Sequence, residues 1–413
     1  MTSHADSPIR PFKLAISPKQ RESTLELARA SLLSLKSIHQ ASQYPAAAGA
    51  QENYRDGLDS KTVENLCDYF VNGYNWRRHE NEFNDMGQQY IMRVDNVPGE
   101  DKSLDIHFIH APSEHRDAVP LVLAHGWPGS VFEFQGIIPL LTSPPQGQQA
   151  YHVVAPSLIG YTFSECTTKS VPGFTQMAYC TDQIMQRLDY KRYVAQGGDW
   201  GARVCRMLAK NHDGCVAIHT NYVHFEPSKH KLDSDVSEVE RRGYERYASF
   251  MHLGGAYGLM QGTTPHTLGS VLATSPLAIL TYIGEKFYRW SAPDAKDDLV
   301  KFHDQIITHV LLYFFSGSIT SSFMFYFNGF GGGDVREADE SVVEKPVAFT
   351  CGPYEIGWPT EKLFKSLNPK TRYFEVAKEG GHFFAQEKPA VLAEAMSKLF
   401  GSDEVKALLA GKK

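Results

Sequence analysis

The sequence is poor in cysteine, in excess charge of either sign and in long apolar runs, and each shortage excludes something. Its six cysteines, Cys67, Cys166, Cys180, Cys205, Cys215 and Cys351, form no C-x-x-C pair and no zinc-type spacing, so neither a disulfide framework nor a zinc site is expected. They read as buried thiols in a reducing compartment. The stretch MTSHADSPIRPF lacks the apolar centre of a secretory signal, and together these features predict a cytoplasmic protein. The net charge of −6, with no basic arm, provides no strong field for nucleic acid or an anionic membrane. The most apolar stretch, Ile306 to Phe330, is broken throughout by Ser, Thr, Gly, His and Asn. It is read as a buried helix and not as a membrane insertion. No H-E-x-x-H or Cys/His cluster occurs, and no Lys-Ser/Thr follows Gly331-Gly332-Gly333-Asp334. Neither a metal nor a cofactor is therefore expected, and the glycine run reads as a hinge.

What is present is ordinary globular material, 42% hydrophobic and 21% charged over 413 residues. That length suits one large core with additions. Residues 1–10 are polar and expected to be loose. Leu25, Ala28, Leu32, Leu35 and Ile38 lie at helical spacing in Lys19 to Ser42. A second helix is predicted over Asp59 to Gly73, with Ser60 as its N-cap. Residues 1–90 are thus expected to form an N-terminal extension wrapped against the core. The texture then changes. Strands are predicted at Tyr90–Val94, Leu104–His110, Val119–Ala124, Tyr151–Ala155, Tyr193–Gln196, Ala217–Val223, Val347–Thr350 and Thr371–Val376. Their alternation with helices predicts an α/β fold with a mostly parallel central sheet covered on both faces. Residues 224–340 break that rhythm and read as a helical lid inserted between core segments 91–223 and 341–413.

Three motifs carry chemistry. Gly197-Gly198-Asp199-Trp200-Gly201 lies between a strand and a helix. Small residues on both sides of a central side chain suit a strained strand-to-helix turn that lifts that side chain above the sheet. Such an elbow in α/β-hydrolases usually carries serine. A serine attacking a saturated carbon would form an ether, whereas a carboxylate forms an ester that water can cleave. Asp199 as nucleophile therefore points to displacement at an sp³ carbon, in an epoxide or an alkyl halide. His125-Gly126-Trp127-Pro128-Gly129-Ser130 follows a buried strand. The backbone N–H groups of Trp127 and Trp200 are the candidate oxyanion hole. Gly380-Gly381-His382-Phe383 follows the last strand, where the general base of this fold falls. Its orienting carboxylate is assigned to Glu355, after the strand Val347–Thr350, with Glu226 as the rival.

Together the elbow, the His-Gly-Trp-Pro-Gly turn and the Gly-Gly-His-Phe histidine resemble those of epoxide hydrolases of the microsomal type, which carry an N-terminal extension before an α/β-hydrolase core. The resemblance spans about Phe12 to Phe400 and is nearer to soluble fungal and bacterial members. It includes the lid segments Gly254–Gly269 and Ser318–Tyr326. It implies that Tyr257 and Tyr326 hydrogen-bond the epoxide oxygen. The chain has 20 tyrosines, and the residues alone do not separate these two from Tyr282, Tyr288 or Tyr313. The expected reaction converts a small apolar or aryl epoxide and water to a vicinal diol through an ester on Asp199. The alternatives are a haloalkane or haloacid dehalogenase, an epoxide-opening cyclase, and a non-catalytic receptor on the same fold. Related lids mediate dimers, which makes a homodimer compatible with the sequence.

Overall fold

The structure, a computed structural model, describes residues 9–41, 57–230 and 232–412. Nine strands form one sheet: β1 (Ile9–Pro11), β2 (Gln88–Val94), β3 (Leu104–Ala111), β4 (Val119–Ala124), β5 (Tyr151–Pro156), β6 (Tyr193–Gly197), β7 (Cys215–Thr220), β8 (Val347–Cys351) and β9 (Thr371–Val376). The spatial order is β1-β2-β3-β5-β4-β6-β7-β8-β9. The pairs from β1 to β5 are antiparallel and the remainder are parallel. Burial explains the composition. Strands β6, β7 and β8 are buried at every position, as expected where helices cover both faces, and they read as mostly apolar runs without polar alternation. Strand β9, at the edge, is only partly covered.

The sheet order brings distant turns together. Strands β4 and β6 pair in parallel with Ala124 opposite Gly197. The turn after β4 and the elbow after β6 therefore emerge side by side, at the carboxyl ends where the strand order reverses. The strand predicted over Ala217–Val223 is β7, and it ends sooner than expected, at Thr220 and not Val223. Asn221 instead donates its N–H to the Gly197 carbonyl at 3.3 Å, and Tyr222 and Val223 turn off the sheet to line a cavity.

Helices between β7 and β8 form the lid. Its apolar stretch folds as helix Leu299–Ser316, a left-handed Gly317 cap and helix Met324–Phe330. No single helix among the described residues is long and apolar enough to cross a membrane. Two helix pairs pass that test only jointly, and they bend by 116° and 110°. The Gly331–Gly333 run, expected as a hinge, is a turn that delivers Asp334 to the start of helix Phe174–Arg187. There the Asp334 carboxylate accepts the N–H groups of Phe174 and Thr175 at 3.0 and 2.6 Å.

The N-terminal segment departs from expectation in three ways. Ile9 and Arg10 belong to β1, paired with β2, while residues 1–8 and Ser42 lie outside the described residues. The cap of helix Ser60–Asn72 is Asp59 and not Ser60, because the Asp59 carboxylate accepts the Thr62 N–H at 2.9 Å. Its helices also pack on the lid and not only on the core. Tyr69 donates to Asp304 at 2.8 Å, Tyr74 pairs with Thr308 at 2.9 Å, and Ser31 pairs with Ser275 at 2.8 Å. Half-buried phenols require partners, and the lid helices supply them.

Candidate active site

The elbow after β6 is held by close backbone approach. A Cβ on Gly201 would lie 1.9 Å from the Ala124 carbonyl oxygen, so only glycine lets helix Asp199–Asn211 start so near β4. Asp199 has φ of +47°, a left-handed conformation that costs energy outside glycine and that the surrounding packing must impose. Its carboxylate consequently stands above the strand ends. The turn after β4, with a cis Trp127–Pro128 bond, leans against it. The Trp127 N–H donates to Asp199 Oδ1 at 2.8 Å. A Cβ on Gly126 would lie 2.4 Å from Asp199 Cβ, so this turn too must carry glycine there.

His382 and Glu355 arrive from the loops after β9 and β8. The His382 Nε2 atom is 3.7 Å from Asp199 Oδ2, and Nδ1 is 2.6 Å from Glu355 Oε1. A carboxylate cannot donate, so Nδ1 carries the hydrogen and Nε2 faces Asp199. Glu355 is fully buried and also accepts the Ile356 N–H at 2.8 Å. Arg246 from the lid pins its loop through the Glu355 and Tyr354 carbonyls at 3.0 and 3.2 Å. Burial disfavours the His382 cation, but Glu355, Asp199 and Glu133 outweigh it and push the imidazole up to about 9. The rival Glu226 is half exposed, pairs with Lys229 at 2.8 Å, and makes no contact with His382. His125 takes a scaffold position, accepting the Leu158 N–H at 3.2 Å on Nε2.

Above the elbow the lid presents aromatic rings. Tyr257 stacks on Trp127 with centroids 5.3 Å apart, and Tyr326 meets Trp200 edge-on at 4.5 Å. The two phenol rings are 5.6 Å apart. Burial raises both phenols far above the usual range, and Asp199 adds to the shift, so each is a proton-bearing donor at neutral pH. The Tyr326 hydroxyl is buried and lies beside the Tyr257 hydroxyl. The other candidates are engaged elsewhere. Tyr288 pairs with His303 at 2.7 Å, Tyr313 donates to the Gly129 carbonyl at 2.6 Å, and Tyr282 accepts from Gln261 at 3.3 Å. Asp199, Tyr257 and Tyr326 open onto a cavity of about 760 Å³ with apolar walls that include Phe225, Phe250 and Leu259, a size suited to a small organic ligand.

Two residues at the site escape sequence reading. Arg246 acts on backbone carbonyls, which leave no pattern. Glu133 lies in Val131-Phe132-Glu133-Phe134, and a carboxylate inside an apolar run is the one signal that marks it. It lines a second, much smaller cavity with Asp199 and His382.

Known proteins share this architecture and its sequence. The family profile described as epoxide hydrolase N terminus matches residues 9–134, and the alpha/beta hydrolase fold profile matches residues 119–227. A putative epoxide hydrolase of Stigmatella aurantiaca is 32% identical, the match covering 95% of this chain and 84% of the relative. Epoxide hydrolase 1 of Sus scrofa is 30% identical, with 96% and 89% covered. The structure of Aspergillus niger epoxide hydrolase superposes with a TM-score of 0.80 at 28% identity, covering 96% of this chain and 98% of that one. The juvenile hormone epoxide hydrolase of Bombyx mori gives a TM-score of 0.81 at 27% identity, with 98% and 96% covered.

Proposed function

The chain belongs to the epoxide hydrolases of the α/β-hydrolase fold, and on that premise we propose that it opens its epoxide through a covalent ester on Asp199. An apolar or aryl epoxide enters the cavity between lid and core. Tyr257 and Tyr326 donate hydrogen bonds to the ring oxygen while Asp199 Oδ2 attacks a ring carbon from the opposite side. The ring C–O bond breaks, the new hydroxyl takes a phenolic proton, and the proton that His382 then releases restores the phenol.

Ester formation then changes the electrostatics of the base. With Asp199 neutral, one of the charges that raises His382 is gone, so the imidazole more readily gives up its proton and acts as base. Glu355 holds it in the tautomer that leaves Nε2 free. A water gives a proton to His382 Nε2 and adds to Cγ of Asp199. The Trp127 N–H, already on Oδ1, and the Trp200 N–H in the first helical turn stabilise the oxyanion. The acyl C–O bond breaks, the leaving alkoxide is protonated by His382, and the diol departs.

The observation that carries this reading is the geometry of the Asp199 carboxylate, with one oxygen on a backbone donor and the other toward His382. The test is a single turnover in ¹⁸O-water with enzyme in excess over styrene oxide. Unlabelled diol and label retained on Asp199 are expected. Labelled diol would mean direct attack by water and would overturn the ester.

A dehalogenase reading has one observation in its favour. The indole nitrogen of Trp127 is buried without a protein partner, and an indole N–H group suits a departing halide. Under the epoxide reading, halide release from 1-chloroalkanes should stay at background.

A further inference from the structure

We infer that Glu133 is a positioning residue that holds the hydrolytic water against Asp199 and His382, an assignment that rests on the covalent reading above. A cavity of about 20 Å³ lies beside the nucleophile, lined by Gly126, Glu133, Gln196, Asp199, Asn221 and His382 among others. That volume suits one water, which also needs two to four polar partners. Gln196 Nε2 donates to Asn221 Oδ1 at 2.7 Å, and Glu133, Asp199 and His382 are the ionisable side chains that line the cavity.

The turn after β4 is shaped around Glu133 as closely as around the nucleophile. A Cβ on Gly129 would lie 1.4 Å from Glu133 Oε1. The two glycines of Gly126-Trp127-Pro128-Gly129 therefore each make room for one carboxyl group. Successive backbone donors serve the same pair, because the Gly126 N–H bonds Glu133 and the Trp127 N–H bonds Asp199. Burial pushes the Glu133 carboxyl up to about 8, opposed by His382 and helped by Asp199. At neutral pH it is mostly uncharged, so it sits beside Asp199 without strong repulsion. Its carbonyl oxygen accepts one O–H of the water while His382 Nε2 accepts the other. A lone pair then faces Cγ of the ester. The water oxygen bonds to Cγ and its proton passes to His382, while Glu133 gains and loses nothing.

The experiment follows both steps by rapid quench and intact-protein mass, with enzyme in excess over styrene oxide. The His382→Gln enzyme should accumulate the ester, and no ester there would overturn the covalent reading and this inference with it. Given that ester, Glu133→Leu should form it within about threefold of the wild-type rate and hydrolyse it about 10²-fold more slowly. Glu133→Gln, which keeps an acceptor oxygen, should hydrolyse it within about fivefold of wild type. Wild-type hydrolysis in Glu133→Leu would overturn the inference while leaving the ester intact. Equal slowing of both steps, or Glu133→Gln as slow as Glu133→Leu, would reduce Glu133 to a structural role and overturn it too. If Glu133→Leu does not fold, Glu133→Ala adds no bulk and is judged by the same outcomes.

Discussion

The sheet and the lid contribute to the site by different physics. From the sheet come backbone donors, a left-handed Asp199 and glycines whose Cβ atoms would overlap the carboxyl groups. Tolerances there are tenths of an ångström. From the lid come rings: Tyr257 on Trp127 and Tyr326 on Trp200, at centroid separations of 5.3 and 4.5 Å. Ring contacts tolerate larger shifts and contribute about 0.5–1.5 kcal/mol each beyond burial. Under the proposed mechanism the sheet side therefore defines which atom attacks, while the lid side defines where a substrate oxygen rests. The N-terminal segment supports the lid side, since its tyrosines bond the lid helix Leu299–Ser316.

Four perturbations break or sharpen that contrast. Asp199→Ala removes the sheet's reacting atom, and diol formation should fall by at least about 10⁴-fold. A steady-state assay checks this, and an active variant would end the assignment. Tyr257→Phe or Tyr326→Phe removes only a donor to the opening oxygen. Each should slow ester formation about 10²-fold and leave ester hydrolysis unchanged. Single-turnover rates separate the steps, and a loss as large as that of Asp199→Ala would erase the contrast between the two sides.

The third perturbation is pH. Glu387 accepts the Ala292 N–H from the lid at 2.7 Å and the Gly381 and Phe383 N–H groups at 3.0 Å, so it joins lid to histidine loop. Burial pushes it up to about 7, burial pushes Glu133 up to about 8, and Glu355, with Asp199 and Glu133, raises His382 to about 9 against burial. All three folded values exceed the ordinary ones, so the folded state binds more protons. Stability should be greatest near pH 5, above the acid limb, and decline by pH 9. Thermal melts should fall by several degrees over that span, and Glu133→Gln should flatten the curve. A melting temperature that rises with pH would refute the sign. The smallest effect concerns the lid support. Tyr69→Phe deletes the bond to Asp304 and should cost about 1 kcal/mol in urea unfolding, with turnover unchanged. A lower turnover would mean that the N-terminal segment sets the position of the tyrosines.

The contrast also explains what was legible. Strands β4 and β9 were readable to the residue, because runs rich in β-branched or aromatic residues end at turn residues. The Asp59 cap was missed by one position, since Asp and Ser both suit an N-cap and only the bond to Thr62 separates them. The premature end of β7 was invisible because Tyr222 and Val223 suit a strand, and only the Asn221 bond to Gly197 and the cavity turn them away.

By itself the sequence determined the elbow around Asp199, the turn after β4 and the histidine loop, because close backbone approach admits only glycine and so leaves a mark in a single chain. It did not determine which carboxylate faces His382, which two of many tyrosines face Asp199, or that Glu133 shares a water-sized cavity with both. Those depend on the parallel register of Ala124 with Gly197 and on how the lid packs. A side chain chosen by distance from residues far along the chain leaves no spacing to read, and only the folded structure brings it into place.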